Sequence, residues 1–160
     1  MMSDKRKFIA AVADIIRMPQ VRRLRKTIHH HRFNRYYHVM HVAYMVFMLC
    51  RYLKYDWRNA ARAALLHDLF YFDWRNSRLK GYPWMHPVIA LKRARRHFTL
   101  SAMQMEMIEL HMWPIHADPV RMPRYAETWV LIVCDKIQTF CEYIDIPVRF
   151  IRRLTGGLFH

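Results

Sequence analysis

Glycine is almost missing from this chain, with 3 residues in 160, and proline is held to 7. That scarcity argues against a turn-rich β architecture and for helices. Cysteine is scarce too. Cys50, Cys134 and Cys141 are odd in number and sit inside helix-like runs, so they read as buried free thiols in a reducing cytoplasm. No apolar run approaches a membrane span, and the longest uncharged stretch, near Val42–Cys50, reads as a buried helix segment. The first residues, Met-Met-Ser-Asp-Lys-Arg-Lys and then a mixed segment with Asp14, do not form a secretory apolar region. What is present is 54% hydrophobic residues, enough for one domain with its own core.

Acidic residues are also few, 12 against 27 Lys and Arg, for a formal net charge of +15. Residues 1–35 alone hold ten of the basic residues against Asp4 and Asp14, a net +8. Such an arm suits nucleic acid, bound weakly and without sequence preference, or an anionic membrane surface or a polyanionic substrate. A solvated helix face kept soluble by arginine is the plainer alternative.

The hydrophobic pattern is helical nearly throughout. Phe8, Ala11, Val12 and Ile15 give a helical period over about 4–17, which Pro19 interrupts. A short basic helix over about 20–28 follows, then a long one over about 34–54. Asp56 is placed to cap a helix over 57–69. Residues 70–86 read as a loop, with Pro87 as the first residue of a helix reaching about 98. Ser101 and Gln104 have capping-box spacing before a helix that runs to His111. The last strong helix, about 125–143, is expected to turn Val130, Val133, Cys134, Ile137 and Cys141 inward.

Into this frame fall His38, the adjacent pair His67-Asp68, then His86, His111 and Asp135. Imidazoles mixed with carboxylates are the ligand set that first-row transition metals prefer. The pair His67-Asp68 closes an apolar run, where a buried carboxylate beside a histidine is costly unless something compensates both. Taken singly, His86 or His111 reads as a satisfied core residue or a cap, but the joint occurrence points to metal. Helices around one axis can project such side chains into a single cavity, as two-metal carboxylate-histidine bundles do. Arg75, Arg78 and Lys80 lie between the pair and His86 and suit a phosphate or phosphonate, or form a solvated loop. Lys136 could neutralise Asp68 or touch substrate. His116 is a further candidate ligand or proton donor, and Trp74, Trp84 and Trp113 fall in the two loops.

The segments His38-Val-Met-His-Val42-Ala43, Ala64-Leu-Leu-His67-Asp68 and Cys134-Asp135-Lys136 resemble the H…HD…D motifs of the HD-domain metal-dependent phosphohydrolase superfamily. His86-Pro87 and Ile108-Glu-Leu-His111 resemble the two extra histidines of its dinuclear branch. The resemblance covers about residues 28–143. It implies an all-α, single-domain bundle of about six helices over 1–160, with basic N-terminal helices at 1–27 and a tail at 145–160. It implies two divalent ions, Fe or Mn first and Zn, Ni or Co as alternatives. His38, His67, Asp68 and Asp135 would hold the first, with Asp68 bridging, and His86 and His111 the second. Many members follow the His-Asp pair with a small residue and then Gly-Lys, where this chain has Leu69-Phe70-Tyr71. His111-Met112 lacks the paired histidines of the cyclic dinucleotide phosphodiesterase branch.

The leading expectation is therefore a phosphohydrolase in which a metal-activated hydroxide attacks a small phosphoester or nucleotide, with Asp68 and Lys136 as catalytic residues. Two other readings stand beside it. One is a di-iron oxygenase of the same fold; the other is a non-catalytic basic module that binds nucleic acid or regulates a partner.

Overall fold

The computed structural model describes residues 2–27, 33–72, 82–115 and 121–144. Seven α-helices and no β-strand occur among them: α1 (Asp4–Arg17), α2 (Pro19–Arg22), α3 (Arg35–Tyr52), α4 (Trp57–Leu66), α5 (Tyr82–Ala94), α6 (Ala102–Leu110) and α7 (Ala126–Tyr143), with a 3₁₀ turn at Arg23–Lys26. None of the described helices is long and apolar enough to cross a membrane.

The amphipathic period of α1 is realised as expected, with Phe8, Ala11, Val12 and Ile15 buried. The basic helix expected over 20–28 is instead a single α-turn running into the 3₁₀ turn. Its buried residues, Val21, Leu24 and Thr27, recur every three positions, the 3₁₀ period, and four like charges at Arg22, Arg23, Arg25 and Lys26 oppose a longer α-helix.

Helix α3 is the axis of the fold. It has no Lys, Arg, Asp or Glu from Tyr36 to Cys50 and is buried on most of its circumference, as a helix packed on several sides must be. It packs against α4, α7 and α1. The alanines of α4, at 60, 61, 63 and 64, all face inward, and small side chains at a contact let helix axes approach closely. Arg62 on the outer side of α4 clamps α1, with both guanidinium nitrogens 2.7 Å from the Asp14 carboxylate and a 2.9 Å bond to Ala11 O.

Two helix caps follow the sequence reading: Asp56 caps α4 by accepting from Asn59 N, and Ser101 with Gln104 forms the full capping box of α6. Asn34 also caps α3, accepting from Tyr37 N. Two expectations are corrected. Residues 82–86 are helical, so Pro87 and Trp84 lie inside α5 rather than at its start or in a loop. Proline there removes a helical hydrogen bond, a cost offset by burying His86, Ala90 and Ala94, one stripe at four-residue steps, in the bundle. In α7, Val133 and Ile137 are exposed, while Thr128, Leu131, Asp135, Gln138 and Glu142 are buried. Val130 and Cys134 are buried as expected, but half of the buried residues of α7 are polar: Thr128, Asp135 and Glu142 meet partners on other helices, and Gln138 bonds Glu142 within α7. Cys50 and Cys134 are buried thiols, both pushed up to about 12 by burial, and Cys141 is half-buried.

Tyr125, at the start of α7, makes no side-chain cap. Glu106 of α6 does that work across the interface. Its Oε1 accepts from Arg124 N, Tyr125 N and the Thr128 hydroxyl at 2.9, 3.0 and 2.9 Å, all but shielded from solvent. Glu106→Ala would leave these donors unsatisfied and is expected to cost about 3 kcal/mol. A urea titration reads this directly; an unchanged midpoint would mean that the start of α7 is anchored otherwise.

Candidate metal centre

The six candidate ligands come from five helices and converge. His38 comes from α3, Asp135 from α7 and His86 from α5, while His67 and His111 are the C-caps of α4 and α6, with Asp68 next to the first. All six are buried. Two overlapping groups result, His38–His67–Asp135 and His67–Asp68–His111, each offering ligand atoms within 4.8 Å of one another. His86 joins the second, its Nε2 2.9 Å from His111 Nε2 and 3.5 Å from Asp68 Oδ1.

The tautomers of two histidines follow from their positions. His67 Nδ1 donates to Ala64 O at 2.7 Å, and His111 Nδ1 donates to Ile108 O at 2.8 Å. A carbonyl only accepts, so in the neutral rings the proton is on Nδ1 and the Nε2 lone pair faces the centre. Burial, reinforced by His67 and His86, drives the His111 pKa well below its usual value, so that ring is neutral. His67 Nε2 is buried without a hydrogen-bond partner and stands 3.5 Å from Asp135 Oδ1. His111 Nε2 stands 3.6 Å from Asp68 Oδ1. Lone pairs facing carboxylate oxygens in a dry interior repel unless a cation lies between them.

The donor set fits such a cation. Two imidazole nitrogens, each about 2.0–2.1 Å from one ion, stand about 3 Å apart when they meet it at right angles, close to the His86–His111 separation. The buried His and Asp groups can thus hold metal, and nitrogen with oxygen ligands suits a first-row transition ion.

Around the ligands lie groups that orient them. His38 sits between two carboxylates, Nδ1 3.1 Å from Glu142 Oε1 and Nε2 3.1 Å from Asp135 Oδ1. Burial opposes its charge, but Glu142 and Asp135 outweigh burial and raise its pKa to about 10. Burial likewise opposes the Asp135 charge, and the bond and positive charge of His38 outweigh it and hold the carboxyl well below its usual range. Gln138 Nε2 donates to Glu142 Oε1 at 2.8 Å, which fixes the carboxylate behind His38. A histidine ligand backed by a carboxylate is the usual support of a metal site.

Arg35 is fully buried, with Nε 3.6 Å from Asp68 Oδ2, Nη1 donating to Phe70 O at 2.9 Å and its guanidinium 3.5 Å from the Phe70 ring centre. Asp68 therefore turns Oδ1 to the imidazoles and Oδ2 to the guanidinium. Lys136 meets Asp135, not Asp68: its Nζ is 3.1 Å from Asp135 Oδ2 and 3.3 Å from Met112 Sδ, with nearly half of the side chain exposed. His41 turns along its own helix to Tyr37 O and, pushed down to about 4 by burial, is neutral. Trp113 packs on Trp129 rather than on the centre. Arg75, Arg78, Lys80, Trp74, His116 and the 145–160 tail lie outside the described residues.

The sequence reading passed over Arg35, Gln138, Glu142 and Glu106. Two of them carried a signal: Arg35 lies three residues before His38 and Glu142 seven after Asp135, helical spacings that share a face with a ligand. Comparison with protein-family models, with curated proteins and with solved structures found no match.

Proposed function

We propose that this chain is a metal-dependent phosphohydrolase acting on a small phosphoester or nucleotide. The observation that carries the reading is the pair of buried three-residue groups that share His67, a basis for two neighbouring ions. His38, His67 and Asp135 would hold one, and Asp68, His86 and His111 the other. Bound there, the metals supply Lewis acidity and a nucleophile at neutral pH, chemistry typical of phosphoester hydrolysis.

The chain's own residues prepare the centre for it. Glu142 and Gln138 orient His38, and Arg35 fixes Asp68. Lys136, half in solvent beside Asp135, provides a cation that binds an anionic oxygen of the substrate. The surplus of 15 positive charges draws phosphorylated molecules toward the protein.

The test is elemental analysis of protein purified without chelator, then a screen of phosphoesters with added Mn or Fe. Two ions per chain with turnover of a phosphoester are expected. Stoichiometric metal without turnover of any phosphoester would overturn the hydrolase reading and leave the metal centre standing.

A further inference from the structure

A second polar site lies outside the metal centre and shares no residue with it. A cavity of about 340 Å³ opens where α2 and the 3₁₀ turn face the C-terminal end of α5, lined by Gln20, Arg23, Tyr71, Arg93, Arg96 and His97. No carboxylate lines it, and Arg23, Arg93 and Arg96 make no ion pair among the described residues. Three guanidinium groups are thus brought to one concavity by segments about 70 residues apart, with no carboxylate among the described residues lining it to offset them. Like charges gathered in this way repel, and an anion that bridges them relieves the repulsion.

Tyr71 organises the cavity. Its hydroxyl donates to Gln20 O at 3.1 Å, which fixes the ring. The Arg23 and Arg93 guanidinium carbons stand 4.5 and 4.4 Å from its centre. Aromatic contact holds both side chains in place while leaving their N–H groups to donate. Arg96 adds an exposed third fork, and Gln20 Nε2 lies 3.4 Å from His97 Nδ1 at the edge.

We infer that this cavity is a binding site for the phosphate chain of a small polyphosphate, free or carried by a nucleotide. Planar guanidinium forks match phosphate oxygens two at a time. The volume lies at the low end of the roughly 300–1,000 Å³ of small-molecule pockets, room for a phosphate chain rather than for a large ligand. Arginines already occupy the ring of Tyr71, so it does not serve as a stacking platform for a base. Recognition rests on phosphate alone. A nucleic-acid backbone would need an extended track instead of a single local concavity.

Titration calorimetry of the full chain with inorganic tripolyphosphate at low salt tests the site, with adenosine triphosphate as a second probe. Arg93→Glu is expected to weaken tripolyphosphate by roughly tenfold or more, the loss of a charge-assisted bond pair. Arg96→Gln changes an exposed side chain that makes no hydrogen bond or ion pair with another described residue, so it is safe for folding, and it should weaken binding by a smaller factor. His111→Ala should leave binding intact, which separates this site from chelation at the metal centre. Comparable affinity for the two probes identifies the phosphate chain as the recognised group, and a clear preference for the nucleotide would overturn recognition by phosphate alone. Unchanged affinity in both arginine variants, or loss confined to His111→Ala, would overturn the proposal. So would displacement of tripolyphosphate by a DNA oligonucleotide at physiological ionic strength, which would make this a nucleic-acid surface.

Discussion

Asp68→Ala is expected to strip the centre of metal, taking the content from two ions per chain to none. Asp68 Oδ1 lies 3.5 Å from His86 Nε2 and 3.6 Å from His111 Nε2, so one group loses its only carboxylate. Asp68 also adjoins His67, which belongs to both groups, so the second ion is weakened with the first. Asp135→Ala should mainly affect the ion on the His38 side, and His111→Ala the ion on the His86 side. The Asp68 change has a structural cost as well. It removes a carboxylate beside the fully buried Arg35, a loss of about 3–5 kcal/mol when a buried charge loses its partner. Asp68→Asn separates the two effects, because the amide still offers Arg35 an acceptor while losing the charge a metal needs. Elemental analysis and a melting curve on both variants suffice; two ions retained in Asp68→Ala would show that the ligands are misassigned.

Chelation should lower the melting temperature of the native protein by roughly 5–10 °C. Ions that bind only the folded chain stabilise it by about 2.7 kcal/mol at hundredfold saturation, and at this length each kcal/mol is worth about 2–4 °C. The shift should also grow as the pH is raised toward 10. In the chelated protein His38, raised to about 10, stays charged between Glu142 and Asp135. That contribution is complete below the ordinary histidine value of 6.5 and is lost as the pH climbs through about 10. Metal ligation gains over the same range, since protons no longer compete for the imidazole. A His67→Ala, Asp68→Ala double variant should show no chelator shift. Equal shifts in the two proteins would place the chelator's effect elsewhere.

Where local chemistry decides structure, the sequence was readable. Phe8, Ala11, Val12 and Ile15 announce α1, and Ser101 with Gln104 announces the start of α6. The six candidate ligands stood out because charged or polar groups interrupt apolar runs. Reading failed where a residue's partner is remote in sequence. Glu142 has the composition of a surface residue and is buried because His38, 104 residues earlier, meets it. Arg35 counted as one more charge in a basic arm, yet it lies under Asp68 and Phe70. Val133 and Ile137 looked like core, yet they are exposed while Asp135, Gln138 and Glu142 share the inward face with Val130, Leu131 and Cys134. Pro87 resembled a helix start because nothing local records the tertiary packing that carries the helix through it.

His67 and His111 each end a helix and each tie Nδ1 to the carbonyl three residues back. The length of α4 and of α6 therefore sets both where each ring stands and which nitrogen carries its proton. One residue inserted into either helix would swing the terminal histidine by about 100° around the axis and move it out of the centre. Substitution on the outer faces leaves that register untouched. The site therefore tolerates side-chain changes on the outer faces of α4 and α6 but not a change in the length of either helix, whereas added residues in the connections between helices leave it in register.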